Sequence, residues 1–506
     1  MRNYIFLLFI GLSISLTSCR EDFQFEASTG DLTFSRDTVY LDTVFSDVSS
    51  STYTLKVYNK SNKDIKIPTI QLGKGQESKY RMTVDGMTGN NNRIFTDVEL
   101  LAKDSMYIFI ETTANIADAN PTDFLYTDQI LFDGGTNLQT VELVTLIKDA
   151  YFLYPKQLGN GTTETLPIDG EQVYGFYLDE NDPVNGDEFT WNDSKPYVIY
   201  GYAAVPTGKT LTVEAGARIH FHAESGLIVG NGGSLKVQGG VSTTEALENE
   251  VIFEGDRLEP DFSDTPGQWG TIWLTSGSTA NEIDHLTIKN AIYGLLIDSN
   301  DGNFMTIKNS QIYNCSNIGI YAKTAKIKGE NLVINSAGQF SLACTLGGSY
   351  EFKQCTFNNN WASSKQKAVT IDNYYLDENN QQVAFDLLQA DFYNCIIFGS
   401  NQDELFIAKS ASTTAIWTTP LFNKCQIKFN SNNPDYAFIN DATNIKKSGN
   451  PDFFDIANNQ LFIGDDSDAK GFGDDLGIAE DVIGTTRIVT ANKVDIGAYQ
   501  HIVFPD

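Results

Sequence analysis

Four histidines (His220, His222, His285 and His501) and a few clustered carboxylates are the side chains of this 506-residue sequence with the most scope for chemistry. His220 and His222 stand at i and i+2, a spacing that puts both rings on one face of a strand and can ligate a metal. No third ligand accompanies them. Asp284-His285 places an acid beside a base. Asp465-Asp466 and Asp474-Asp475 are adjacent acid pairs in a Gly-rich stretch, whereas hydrolysis by paired carboxylates needs the two opposed across a bond. Asp466-Ser467-Asp468-Ala469-Lys470-Gly471 opens like a Ca²⁺-binding loop, but Lys470 occupies a ligand position and Gly477 stands where a Glu is required. The residues therefore assign no catalytic group and no metal ligand set. Ca²⁺ stays open as an ion for the acidic turns here and at Asp179 to Glu188.

The elements that would position any such groups are strands. With 41% hydrophobic residues over this length, the chain can build more than one core. Its 32 Phe, 23 Tyr and 41 Gly, with no long Ala/Leu/Glu/Lys periodic run, point to an all-β protein. Acidic residues number 65 against 35 basic, a net charge of −30 that repels phosphate backbones. Nucleic acid is excluded as a main partner.

The apolar run Tyr4 to Leu16 after Arg2 has the size of a signal-peptide core and is short for a membrane span. It ends in Leu16-Thr17-Ser18-Cys19, which resembles the bacterial lipobox and so implies cleavage of residues 1–18 and lipid attachment at Cys19. Acyl chains on Cys19 would hold residues 19–27 to a membrane as a tether. Arg20-Glu21-Asp22 is similar to the tag that sends some Gram-negative lipoproteins to the outer face of the outer membrane, so the cell surface is expected in preference to the periplasmic face.

The other cysteines share a local context. Ile312-Tyr313-Asn314-Cys315, Phe352-Lys353-Gln354-Cys355, Phe392-Tyr393-Asn394-Cys395 and Phe422-Asn423-Lys424-Cys425 look like one slot, which Ala291 and Ser336 also fill. The period drifts around about twenty residues, with the interval from Cys355 to Cys395 reading as two turns. Such a slot describes a solenoid of short strands, a right-handed parallel β-helix, with the small residues stacked in its interior and Asn at the bends. The thiols are core residues in this reading, not redox or metal sites.

Leu211-Thr212-Val213 and Gly233-Ser234-Leu235-Lys236-Val237 supply early rungs, and Gly267-Gln268-Trp269-Gly270-Thr271-Ile272 is similar to a segment common in early turns of bacterial β-helices. Asp495-Ile496-Gly497-Ala498-Tyr499-Gln500 resembles the ending of extracellular β-helix proteins of the choice-of-anchor Q type in the pectin-lyase-like superfamily, with Gln500 where Glu is usual. The resemblance covers residues 196–506, the coil with its C-terminal cap, and 151–195 is expected to be linker and N-terminal cap. Residues 28–150 hold short alternating strands, expected as an antiparallel Ig-like β-sandwich that spaces the coil from the membrane.

That superfamily includes pectate lyases and polygalacturonases. The N-T-D, D-D, G-H-G and R-I-K set of the latter is absent as a set. The reading is a non-catalytic, lipid-anchored envelope protein whose coil displays a surface for a glycan or a surface protein. The alternative is a polysaccharide lyase or glycoside hydrolase using outer-face carboxylates such as Asp284 and Asp372, which requires three or more acidic or basic side chains to converge in one groove.

Overall fold

The computed structural model describes residues 24–504 apart from 160, 169 and 245, so Cys19 and the leader lie outside the described residues. The chain divides into two compact units between Asp149 and Ala150.

In the first unit, period-two alternation builds two sheets over one core. Along Ser105–Thr112, Met106, Ile108 and Ile110 point inward while Tyr107 and Phe109 face out. This strand lies between Tyr53–Tyr58 and Tyr80–Val84. The facing sheet runs Glu26–Ala27, Ile65–Leu72, Leu125–Phe132, Gln139–Lys148, Thr38–Phe45, with Ile94–Leu100 also on Ile65–Leu72. The expected pairing was antiparallel throughout, but Thr38–Phe45 runs parallel to Gln139–Lys148. Alternation fixes which face of a strand is buried and leaves its direction open, and two strands this far apart in sequence need no hairpin.

The second unit is an all-β parallel β-helix. Complete rungs contribute one strand to each of three sheets, of 11, 10 and 9 strands among the described residues, parallel throughout except that Thr165–Ile168 at the edge of the 10-stranded sheet runs antiparallel to Glu171–Tyr177. The first sheet includes Arg218–Phe221, Val251–Gly255, Leu286–Lys289, Gln311–Cys315, Val333–Ala337, Thr356–Asn359, Ile396–Gly399 and Cys425–Ile427. The second includes Ile272–Leu274, Tyr293–Ile297, Ile318–Lys323, Phe340–Thr345, Lys367–Asp372 and Leu405–Ala408; the third includes Glu282–Asp284, Met305–Lys308, Lys326–Glu330, Gly348–Lys353 and Leu387–Tyr393. Inward residues stack rung on rung into one core; Phe352, Phe392 and Phe422 are ring neighbours at 5.3 and 5.0 Å.

The single cysteine slot resolves into two corners. Cys355, Cys395 and Cys425 sit where the chain enters the first sheet, immediately before the paired residues Thr356, Ile396 and Gln426, and are stacked on successive rungs. Cys315 sits where the chain leaves that sheet, paired with Ala337. The two look alike because each follows a residue in the left-handed region: Gln354, Asn394 and Lys424 at the entry, Asn290, Asn314 and Ser336 at the exit. The interval from Cys355 to Cys395 is one rung, lengthened by the hairpin Tyr374–Leu376 with Gln382–Ala384.

The end of the coil is covered by the short 3₁₀ segment Pro434–Asn440, where Phe438 stacks on Phe422 at 5.6 Å and Ile439 is buried. Asp495–Gln500 lies elsewhere, as part of a strap that runs along the outer face of the first sheet. Leu461, Val482, Ala498 and Tyr499 pack on Val333, while Ile463, Ala469 and Ile496 pack on Ile396. The motif residues fit this role individually. Gly497, at φ +88°, brings its amide to Asn394 O (2.8 Å), where a Cβ would meet Ile396 and Thr356. Asp495 accepts from the amides of Gly471 and His501, and Gln500 accepts from the amide of Ile488.

Candidate functional site

Sheet register turns residues far apart in sequence into neighbours about 4.8 Å apart. On the outer face of the first sheet, pairing aligns His220 with Glu254, and Lys289 with Tyr313; Phe253 pairs with Ile288, which places Lys289 on the rung after Glu254. Lys289 Nζ lies 3.4 Å from Glu254 Oε2, and His220 Nδ1 lies 3.1 Å from Gly255 O and 3.7 Å from Glu254 Oε1. Glu250 is buried beside this row and accepts from Thr287 Oγ1. The strap borders its far end, with Tyr499 Oη 3.2 Å from Gln311 Oε1.

The electrostatics of the row favour holding over reacting. Burial works to lower the Lys289 pKa, but Tyr313 and Glu254 outweigh it and hold the ammonium above its ordinary value. Burial raises the Tyr313 phenol, against the pull of Lys289. Both stay protonated at neutral pH, so neither is poised as a base. Burial also raises Glu250, its hydrogen bond from Thr287 opposing.

The second sheet carries a different outer face. Trp273 pairs with Leu296 and Leu296 with Tyr321, three partly exposed apolar side chains on consecutive rungs. Tyr293 lies beside them, its ring 5.9 Å from that of Tyr321 and tilted by 22°. Polar groups border the strip: Trp273 Nε1 donates to Asp298 Oδ2 (2.7 Å), Lys323 Nζ pairs with Asp298 Oδ1 (2.6 Å), and Asn317 Nδ2 donates to Tyr293 Oη (2.6 Å). Beyond Tyr321 the ladder continues through the small residues Ala343 and Thr370 to the exposed Phe406. Trp273 and Tyr321 are two rungs apart, about 10 Å, a span comparable to a disaccharide.

Of the histidines and carboxylates singled out from sequence, His220 joins the first-sheet row and the others fall elsewhere. His222 pairs with Asp256 at 2.7 Å and its ring lies 4.5 Å from that of Tyr200, so His220 and His222 contact different partners and share no ligand. Asp284 meets His285 at 2.7 Å and accepts from Asn309 Nδ2 at 2.9 Å on the third sheet. Burial would raise its pKa, but His285 and Asn309 bring it down. Asp372 ends a second-sheet strand, accepts from the Leu346 amide, and is raised to about 6 by burial. The two carboxylates belong to different sheets and do not converge. In the Ca²⁺-like loop, Asp468 accepts from the Asn450 amide, and Asp465 pairs with Lys470. Among the described residues no group of three His, Cys, Asp or Glu side chains could hold a metal, and no helix is long and apolar enough to cross a membrane.

No family model matches this chain and no curated protein matches it. Among solved structures it has partial overlaps with a family 123 glycoside hydrolase from Clostridium perfringens (8% identity, 24% of this chain and 26% of that chain, TM-score 0.17), a PapD-like domain of human CEP192 (11%, 27% and 96%, 0.16) and the E. coli chaperone DraB (13%, 30% and 80%, 0.17). The chain thus spans about a quarter of the first of these. Overlaps at these scores establish neither fold nor function for this protein.

Proposed function

We propose that this is a lipid-anchored protein of the outer membrane, facing the cell surface, in which an Ig-like spacer carries a non-catalytic parallel β-helix that binds glycans along its second sheet. The observation that carries the reading is the strip Trp273, Leu296, Tyr321 with Tyr293. Flat rings on a rigid ladder suit the apolar faces of successive sugar rings, and Asp298, Lys323 and Asn317 at the border can hydrogen-bond hydroxyls. A net charge of −30 repels polyanions, which favours neutral glycans. Lipobox and acidic tag supply the anchor and address.

A glycan array, run with and without chelator, identifies a neutral ligand, and titration of that ligand then tests the strip. Trp273→Ala and Tyr321→Ala should each weaken binding about tenfold, roughly 1.4 kcal/mol. Unchanged affinity in both would dismiss the strip. For the anchor, Cys19→Ala is expected to move the protein from the membrane fraction to the soluble one, and retention in the membrane would contradict lipidation.

The row His220, Glu254, Lys289, Tyr313 supports a second reading, a polysaccharide-active enzyme, because several titratable groups meet on one face. Release of unsaturated or reducing oligosaccharides, abolished by Lys289→Met, would put that reading in place of pure binding.

A further inference from the structure

At the start of the coil, a cavity of about 340 Å³ opens beside Tyr154, Lys156, Phe176, Tyr177 and Asp179. Its size falls in the range of small-molecule sites, and its composition has their character: aromatic walls with a few fixed polar groups. Phe176 is buried in the core, whereas Tyr154 and Tyr177 keep 56% and 46% of their surface exposed. Large rings left open next to a cavity are a stronger signal than single exposed rings on a convex surface.

The polar groups are held in place by the chain itself. Lys156 Nζ lies 2.9 Å from Asp182, a buried carboxylate that also accepts from the amides of Val184 and Asn185 at 2.9 Å. Glu188, also buried, accepts from the Asp179 amide at 3.0 Å and from Asn185 Nδ2 at 3.1 Å. Asp179 and Glu164 complete the polar lining. Carboxylates outnumber the one ammonium and disfavour an anionic ligand, while the two buried carboxylates are already engaged, Asp182 by Lys156 and Glu188 by Asn185, which leaves no bare buried pair to hold a cation. What remains is a neutral molecule with an apolar face for Tyr154 or Tyr177 and hydroxyls for Lys156 and Asp179.

We propose that this cavity is a binding site for a single neutral pyranose ring, either a free sugar or the terminal residue of a glycan. The site is separate from the second-sheet strip and stands without it: the strip lies along a chain of sugars, whereas the cavity admits one ring.

Saturation-transfer NMR on the full chain, with methyl glycosides of neutral hexoses and N-acetylhexosamines, tests the site. Binding in the millimolar range is expected, weakened at least about tenfold by Tyr154→Ala and by Lys156→Met, and unaffected by Trp273→Ala. Both substituted side chains are largely exposed, so the variants should keep the parent's thermal midpoint. Equal affinity for the methyl glycoside and for an oligosaccharide ending in the same residue assigns the site to single rings from either source; a preference for one identifies the source. Absence of transfer to every neutral glycoside, transfer that survives both variants, or transfer to tetramethylammonium or acetate in their place would overturn the proposal.

Discussion

Deleting residues 449–506 should leave a coil that folds poorly and partitions into aggregates, although no rung of the three long parallel sheets is removed. The strap covers outward side chains of the first sheet that are as apolar as a core. Val333 and Ile396 are buried by Leu461, Val482, Ala498, Tyr499, Ile463 and Ile496, with Phe398 packed at the edge of the same cluster. Uncovering a fully buried aliphatic side chain costs roughly 1.5–3 kcal/mol, so the loss is on the order of 5 kcal/mol before any aggregation. Polar anchors go with it. Asn335 Nδ2 donates to Asn459 Oδ1 (2.8 Å), Gln354 Nε2 to Asp495 O (3.1 Å) and Asn394 Nδ2 to Asp474 O (2.7 Å), all on the strap. Arg487 is buried between strap and sheet, its Nη2 donating to Asn331 Oδ1, Gly497 O and Ala498 O. Burial lowers its pKa to about 10, which leaves it charged at neutral pH. Soluble yield and thermal midpoint measure the effect. A triple change to Val333→Thr, Ile396→Thr and Phe398→Thr in the shortened chain should recover solubility, because it removes the exposed apolar stripe. A shortened chain with the parent's midpoint would show that the strap contributes nothing.

The strap also bears on function. It occupies the outer face of the first sheet on the later rungs, and it confines the His220, Glu254, Lys289, Tyr313 row to the rungs before it. The partly exposed aromatic strip is on the second sheet, from Trp273 to Tyr321, and beyond it the ladder passes through buried Ala343 and Thr370. Rung architecture was legible in the sequence because left-handed corners select Asn and small neighbours, and that preference repeats whatever faces outward. Two corners with the same preference produced one apparent slot, which is why Cys315 and Cys355 looked equivalent and the period drifted. Phe352 and Phe392 could be seen to hold equivalent positions, since inward positions tolerate only apolar residues, but their direct pairing was hidden because the interval between them reads as two turns. The outer rows were not legible. Glu254, Lys289 and Tyr313 become neighbours only once register is known, and the 238–251 and 255–272 connections change the interval from rung to rung. A trace was present: Lys289 and Tyr313 each precede a corner asparagine, in Ile288-Lys289-Asn290 and Ile312-Tyr313-Asn314. Nor could the sequence show that Asp495–Gln500 covers a sheet instead of an end. Apolar residues that seal a terminal rung and apolar residues that seal a lateral face obey the same pattern.

Phe392→Ala should be the most damaging single substitution in the coil. Phe392 is fully buried between Phe352 (5.3 Å) and Phe422 (5.0 Å), with the edge of Phe357 at 6.2 Å, so it belongs to three rungs at once. Truncation of a buried Phe costs about 3–5 kcal/mol, the upper end applying where neighbours cannot close the gap. Here they cannot. Phe352 and Phe422 sit on strands whose spacing is set by backbone pairing, Phe352 with Phe392 and Phe392 with Phe422, and neither strand can slide into the space without breaking its ladder. In a solenoid each rung is stabilised mainly by its neighbours, so the loss should be local before it is global. Amide exchange should speed up by about two orders of magnitude or more across Leu387–Tyr393, Leu421–Asn423 and Cys425–Ile427, while Arg218–Phe221 and Val251–Gly255 keep their protection. Phe392→Leu keeps much of the side-chain volume and should recover a large part of the difference. Uniform acceleration along the whole coil would show that it unfolds as a single cooperative block, and a loss below about 1 kcal/mol would show that the ring stack adds little to the core.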